Sequence, residues 1–423
     1  MKDTLVYISY YFPPYNTIAS ERSIKFLNVL KEKYNKVIIL TLDDRYIEKN
    51  KLGNNYKDIF GNCDKIQLIK VKLTKLGYEN SASTNFFQKL ISGLITRVVW
   101  SNGFFWQSSL EKHLNEILNT EKVNKIFVTG PPFITFYSVY KVASKKAIPY
   151  ILDYRDLWSM NPRSSSFRFT KFFIRNAIEK KTIHNASNII TVSDGCKKSL
   201  ENEFSIDKNK IYVQINLPDL NYRENFLKNF VHKIKQNKKL NFVLIGSVYN
   251  SCTFWPILEA IKKIPVDVLK KIEFHYYGAT GIIVQKEFKK YNFSELLSNH
   301  GFVSKIASFK ALEDADLLIS LVDDGKRNFD DRIAGIMTTK VFDYFFSGKT
   351  ILNIGPSGGD LNSFSNSIHY KAFYNFESQQ LDLLSTFIEK FIEHPQDFQN
   401  PQYNIFQIPL FEDNFEQIQH IFN

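Results

Sequence analysis

Apolar residues in this chain gather into short runs, with amphipathic stretches between them. The first run covers residues 5–10 and ends at Tyr11-Phe12-Pro13-Pro14. Across 19–33, Ile24, Leu27 and Leu30 recur at three-residue spacing, one stripe of a helix. Residues 37–42 are apolar again apart from Thr41. Strand, amphipathic helix and strand make a β-α-β unit, and its repetition predicts a parallel sheet with helices on both faces. Further strands are predicted at 66–71, 125–129, 150–153 and 189–192, each rich in β-branched residues. A second series opens at 240–245 and continues at 272–277, 317–321 and 350–354. The last apolar periodicity, over 411–422, predicts a helix.

A chain of 423 residues exceeds the roughly 250–300 that one core supports, so two domains are expected. The boundary falls in 203–240, which mixes charges, Asn and Pro218 with a basic stretch at 232–239. The reading is an α/β fold of two tandem Rossmann-like domains. Residues 1–222 form the first and 223–395 the second. Residues 396–423 then cross back, so that the final helix packs on the first domain. Ligands of such sheets bind beyond the carboxyl ends of the strands, here in an interdomain cleft.

Composition narrows this only a little. At 44% hydrophobic and 23% charged residues, the chain reads as an ordinary globular protein. Cys63, Cys196 and Cys252 are far apart and form neither a disulfide framework nor a zinc spacing. The N-terminus runs into a strand without a signal-peptide pattern, and no apolar run reaches the ~18–20 residues of a membrane span. A cytoplasmic location is expected. Charge is more telling. Residues 1–222 carry 33 Lys and Arg against 20 Asp and Glu, whereas the rest carry 22 against 23. The net +12 therefore lies in the first half, an argument about anionic partners rather than fold.

Five segments carry candidate chemistry. Tyr11 to Arg22 joins a strand to a helix, and a helix N-terminus suits a phosphate; Asn16, Thr17, Ile18 and Arg22 are its candidates. Thr129-Gly130-Pro131-Pro132-Phe133 is a strand running into a Gly-Pro-Pro turn and a helix. Asp153-Tyr154-Arg155-Asp156-Leu157-Trp158 places two carboxylates about a guanidinium at a strand end. Val243-Leu244-Ile245-Gly246-Ser247 ends a strand where glycine admits close approach to the backbone. Thr338-Thr339-Lys340-Val341-Phe342-Asp343 feeds a helix that stops at Gly348, with Lys340 and Asp343 on one face.

In order and spacing these segments resemble a glycosyltransferase of the GT-B fold, family 4, especially bacterial members that build surface polysaccharides. The resemblance spans residues 5 to about 360 and implies a retaining transfer from a UDP- or GDP-linked sugar. No cofactor is implied beyond that co-substrate, and no metal. It places Asp156 as acid/base or acceptor-orienting group, with Asp153 second and Arg155 steadying either. Asn16, Thr17, Ile18, Arg22, Gly130 and Pro131 fall on the acceptor or phosphate side. Gly246, Ser247, Thr338, Thr339, Lys340 and Asp343 fall on the donor side, Asp343 accepting from the ribose, and the backbone of Gly301 and Val303 reads the base. The chain departs from the family where it matters. The first loop has no glycine, Asp343 stands for a glutamate, and 248–261 contain no basic residue where the family has an Arg and a Lys for the diphosphate. Lys340 is the replacement candidate.

Paired acids at Asp43-Asp44, Asp323-Asp324 and Asp330-Asp331 read as solvated turns, and the histidines show no metal-ligand spacing. Residues 86–106 combine Phe, Trp and aliphatics with Lys89 and Arg97, a pattern of interfacial helices. Peripheral contact with an anionic membrane at its inner face, near a glycan or polyprenyl-linked acceptor, is expected there. Competing readings are a nucleotide-sugar epimerase and a catalytically inactive transferase-like subunit. Nucleic-acid binding is not expected, because the Lys residues are dispersed and no recognised module is present.

Overall fold

A computed structural model describes residues 2–48, 51–53, 56, 59, 61, 63–74, 103–161, 173–231, 239–249, 253–323, 331–399 and 403–423. The chain divides into two compact units. The first comprises Met1–Val192, Cys196–Asn216 and Asn414–Asn423, the second Ser193–Gly195 and Leu217–Asp413. Of the segment 396–423, then, the last ten residues belong with the first unit.

Among the described residues the first unit holds seven strands: β1 (Lys2–Ser9), β2 (Tyr34–Leu42), β3 (Ile66–Val71), β4 (Val123–Gly130), β5 (Tyr150–Tyr154), β6 (Asn188–Thr191) and β7 (Ile211–Val213). They lie in the order β3-β2-β1-β4-β5-β6-β7, every neighbouring pair parallel. Central strands covered on both faces read as near-continuous apolar runs, and every residue of β5 is buried, Asp153 included. The helix Ile18–Leu30 follows β1. Its buried face is Arg22, Ser23, Phe26, Leu27 and Leu30, with Ile24 at the margin. The apolar stripe alone misplaces that face, because a buried Arg belongs to it. The C-terminal tail closes this unit. Tyr34 Oη donates to the Phe422 carbonyl at 2.8 Å, and the Phe422 ring packs on Phe127.

The second unit holds β8 (Leu240–Ile245), β9 (Ile272–Tyr277), β10 (Leu297–Gly301), β11 (Leu317–Leu321), β12 (Thr350–Ile354) and β13 (Phe373–Phe376). Their order is β10-β9-β8-β11-β12-β13, again all parallel. In both units the chain reverses direction across the sheet beside the first strand, at β1/β4 and at β8/β11. Such switch points leave a crevice at the strand C-termini. The helix Lys340–Ser347 ends at Gly348, whose φ of 68° is left-handed, the usual reason for glycine at that position. Among the described residues, no helix is long and apolar enough to cross a membrane.

Candidate functional site

In the first unit the switch point is built around one buried ion pair. Asp153 ends β5 beside Thr129 on β4. Arg22 Nε lies 3.2 and 3.0 Å from its two oxygens, and Arg22 Nη2 lies 2.6 Å from Oδ1. Thr129 Oγ1 donates to Oδ2 at 2.7 Å. The remaining guanidinium nitrogen donates to the Gln214 carbonyl at 2.9 Å and to Asn216 Oδ1 at 2.6 Å. Both side chains are almost wholly buried, at 1% and 0% exposure. This network joins the first helix, β4, β5 and the segment after β7. Arg22 and Asp153 are thereby placed as a brace, with no face open to a substrate.

Asp156 is placed differently. Its side chain is 52% exposed, and Arg155 Nε stands 3.4 Å from Oδ2. The strand end that presents it is held from below by aromatic packing. Phe133 stacks on Tyr154 and Trp158 with centroids 5.7 and 5.9 Å away. Gly130 is required there, because a Cβ would fall 2.4 Å from the Phe133 ring. So the Gly130-Pro131 turn and the Asp153–Trp158 string, some 20 residues apart in sequence, form one packed corner. Glu179 lies beneath it. One of its oxygens accepts the Ser159 amide at 3.1 Å. Its other oxygen, Tyr154 Oη, Trp158 Nε1 and Ser159 Oγ are shielded from solvent, and hydrogen bonding from Ser159 and Tyr154 opposes the effect of burial on the carboxyl proton. Burial raises the Glu179 carboxyl from 4.5 to about 7, and the neighbouring Tyr154 hydroxyl rises with burial too.

The first loop is pinned by a segment that sequence reading passed over. The Asn16 amide donates to the Lys51 carbonyl at 2.8 Å, and the Gly53 amide to the Pro14 carbonyl at 2.7 Å. Thr17 caps the helix by accepting the Ser20 amide at 3.3 Å. Ile18 is 52% exposed.

In the second unit, residues 246 and 340 meet. Gly246 follows β8 with φ 109°, and a Cβ there would lie 3.0 Å from Lys340 Cδ and 3.5 Å from its Nζ. The cause is local. Tyr344, one turn beyond Lys340, reaches back to β8 and accepts the Ile245 amide at 2.9 Å, while Val341, Phe342, Phe345 and Phe346 are buried, Phe342 and Phe345 against Phe364 and Phe346 against Phe226. Thr338 and Thr339 precede the helix and are half-buried. The Thr338 hydroxyl oxygen is shielded and has no hydrogen-bond partner among the described residues. Ser247 is also half-buried.

Asp343 is engaged by two residues that the motifs did not include. Tyr222 Oη donates to Oδ1 at 2.5 Å and Lys305 Nζ to Oδ2 at 2.7 Å. Tyr222 sits on the helix Leu220–Asn229, in the stretch read as a boundary. Gly301, φ 67°, ends β10; Phe302 beside it is 84% exposed and Val303 half-buried. Strand pairing also sets His275 Nδ1 3.0 Å from His300 Nε2, a proximity that spacing along the chain could not reveal. Residues 86–102 of the expected membrane segment lie outside the described residues, as do Asp324 and Asp330.

No family model matches the chain, and no curated protein matches its sequence. Solved structures do match over its full length. Anabaena Alr3699/HepE in complex with UDP-glucose superposes with a TM-score of 0.63 at 10% identity, covering 99% of both chains. Sucrose-phosphate synthase from Thermosynechococcus elongatus gives 0.61 at 10% identity, over 100% of this chain and 95% of that one. The lipopolysaccharide outer core galactosyltransferase WaaB gives 0.57 at 9% identity, over 99% of each. Likeness at such low identity establishes architecture alone: the chain has the two parallel-sheet α/β domains of the GT-B glycosyltransferase fold.

Proposed function

We propose that this protein is a glycosyltransferase that takes a sugar from a nucleotide-diphosphate sugar. The observation that carries this is the meeting of Lys340 and Gly246. Two motifs 94 positions apart come together at the C-terminal end of the first strand of the second sheet, where the absence of a Cβ on Gly246 lets the Lys340 side chain lie across the strand end. A diphosphate there would meet an ammonium and the N-terminus of the Lys340–Ser347 helix, both favourable to negative charge. Lys340 thus takes the part of the basic pair missing from 248–261, and charge is neutralised without a metal ion. Asp343, one turn along, receives the ribose. Gly301 and Val303 offer backbone to the base, and Ser247, Thr338 and Thr339 line the phosphate end. That HepE and sucrose-phosphate synthase share the architecture, the former holding UDP-glucose, supports this donor class.

On the acceptor side, Asp156 is the group we assign to the chemistry, since it is exposed and Arg155 keeps it beside a cation. Asp153 and Arg22 act through it, as positioning residues. The remaining assignments are a retaining transfer, a UDP or GDP donor, and a glycan or polyprenyl-linked acceptor in surface-polysaccharide synthesis at the inner membrane face. They rest on the motif resemblance and the basic first half. The test is direct. Wild type should show a thermal shift with a nucleotide-sugar from a UDP and GDP panel and turn it over in the presence of EDTA. Asp156→Asn should keep the thermal shift and lose turnover by at least about a hundredfold, as expected for a lost acid/base group. Full activity in that variant removes Asp156 from the mechanism.

A further inference from the structure

Asp343, assigned above to the ribose, is already engaged by protein on both oxygens. Tyr222 holds one and Lys305 the other, and only 13% of the Asp343 side chain is exposed. A carboxylate offers about four acceptor positions, but burial closes most of those that remain. Lys305 is the open side of this cluster, with 48% of its side chain exposed. A ligand gains the carboxylate by displacing it.

The position of Lys305 also breaks a local rule. It is the first residue of the helix Lys305–Glu313, directly after the cap Ser304. The dipole there presents its positive end, which favours acids and disfavours an ammonium. The charge is held instead by Asp343 and by two rings, with Nζ 4.6 Å from the centroid of Tyr222 and 5.3 Å from that of Phe309. Residues that violate local preference and are compensated from afar mark functional positions. The compensation is also soft, because half-exposed ion pairs contribute little. Finally, the segment 248–261 lacks any basic residue, so the donor site is short of positive charge. Lys340 supplies one cation, a helical turn from Asp343. Lys305 is a second, one hydrogen bond from the same carboxylate.

We propose that Lys305 is an exchange residue for a nucleoside diphosphate: the ribose diol takes its place on Asp343, and its ammonium passes to the diphosphate. This rests on the donor-site reading given above. It makes Lys305 a competitor of the nucleoside and a partner of the phosphates at once. Removing it therefore acts in opposite senses on the two halves of the ligand.

The experiment compares wild type, Lys305→Met and Lys305→Arg, each checked for folding by circular dichroism. UDP and GDP are titrated by calorimetry, uridine and guanosine by ligand-observed NMR. For the base that binds, Lys305→Met weakens the diphosphate about tenfold, the size of one charge-assisted hydrogen bond. Its nucleoside affinity stays the same or rises. Lys305→Arg keeps the preference for diphosphate over nucleoside. Equal weakening of nucleoside and diphosphate in Lys305→Met overturns the proposal, since Lys305 would then only brace Asp343. A diphosphate affinity untouched by the substitution overturns it as well. A wild type that binds none of the four compounds overturns the donor-site reading itself, a distinct result.

Discussion

Each unit of this protein sets a cation against an aspartate at the C-terminal side of its sheet, and the two pairs differ in nearly every physical respect. Arg22–Asp153 is sealed from water, and every donor nitrogen of the guanidinium has a partner on a strand or on the segment after β7. Lys305–Asp343 is half open, its cation a flexible ammonium resting on ring faces. Arg suits the first role because its planar fork meets a carboxylate with two parallel bonds and cannot lose its proton. Lys suits the second because a point charge on a long stem is easily moved. The difference teaches that an acid at a strand end is not by itself a reacting group. Burial decides whether it fixes the fold or remains available to a ligand.

The comparison is broken most severely by substituting the sealed pair. Asp153→Ala leaves an unpaired guanidinium in the core and should cost about 3–5 kcal/mol, read as the loss in urea-unfolding free energy. Replacing both members by Arg22→Met and Asp153→Leu should recover much of that, because no charge is then stranded. If Asp153→Ala costs no more than a surface substitution, the brace does not exist and Asp153 returns as a candidate for the chemistry.

Glu179 is a third case that sharpens the contrast: a buried carboxyl with no ion pair among the described residues. Its folded value, about 7, lies above the ordinary 4.5. The folded state therefore binds the proton more tightly than the unfolded chain does. Stability from this group is complete below about pH 4.5 and is lost as pH rises through about 7. The difference corresponds to ~3 kcal/mol. Glu179→Gln, neutral at every pH, should remove that slope. Subtracting the pH dependence of its unfolding free energy from that of wild type isolates the effect. A flat difference between pH 4.5 and 8 would show that Glu179 is ionised in the fold, its charge held by the Ser159 and Tyr154 hydrogen bonds against burial.

How far the sequence exposed all this can be judged residue by residue. Strands rich in aliphatic and β-branched residues were legible: the readings at Ile66–Val71, Leu240–Ile245, Ile272–Tyr277, Leu317–Leu321 and Thr350–Ile354 coincide with β3, β8, β9, β11 and β12. Of these, β11 and β12 are buried throughout and read as near-continuous apolar runs, while β3, at the sheet edge with Gln67 and Lys70 exposed, was carried by its Ile and Val residues. The strands β7, β10 and β13 went unread. They are edge strands, three to five residues long, and β10, with Ser298, Asn299 and His300, has no apolar pattern to detect. In the site, residues tied to turns and helix starts were visible, such as Gly130, Gly246 and Lys340. Partners that arrive from distant elements were not. Nothing local marks Tyr222 as the partner of Asp343, 121 positions away. Nor does anything mark Glu179 as the support of Ser159. Lys305 did leave a trace, an ammonium on the first residue of a helix, but the trace gains meaning only once Asp343 is seen beside it.

The smallest expected effect is the one that completes the comparison. Removing the open pair's cation by Lys305→Met should change the unfolding free energy by less than about 1 kcal/mol. A half-exposed ion pair contributes 0–1 kcal/mol, and relief from the helix dipole offsets part of the lost ring contacts. The same urea titration that registers Asp153→Ala as several kcal/mol should scarcely register this variant. A cost of 3 kcal/mol or more would place Lys305 with Arg22 as a brace, and Asp343 would then be a second structural aspartate rather than a binding one. A near-silent result in stability, joined to a loss of diphosphate binding, separates the two pairs as no static distance can. The sealed pair would be needed for the fold at any ligand concentration, and the open pair only when there is something to hold.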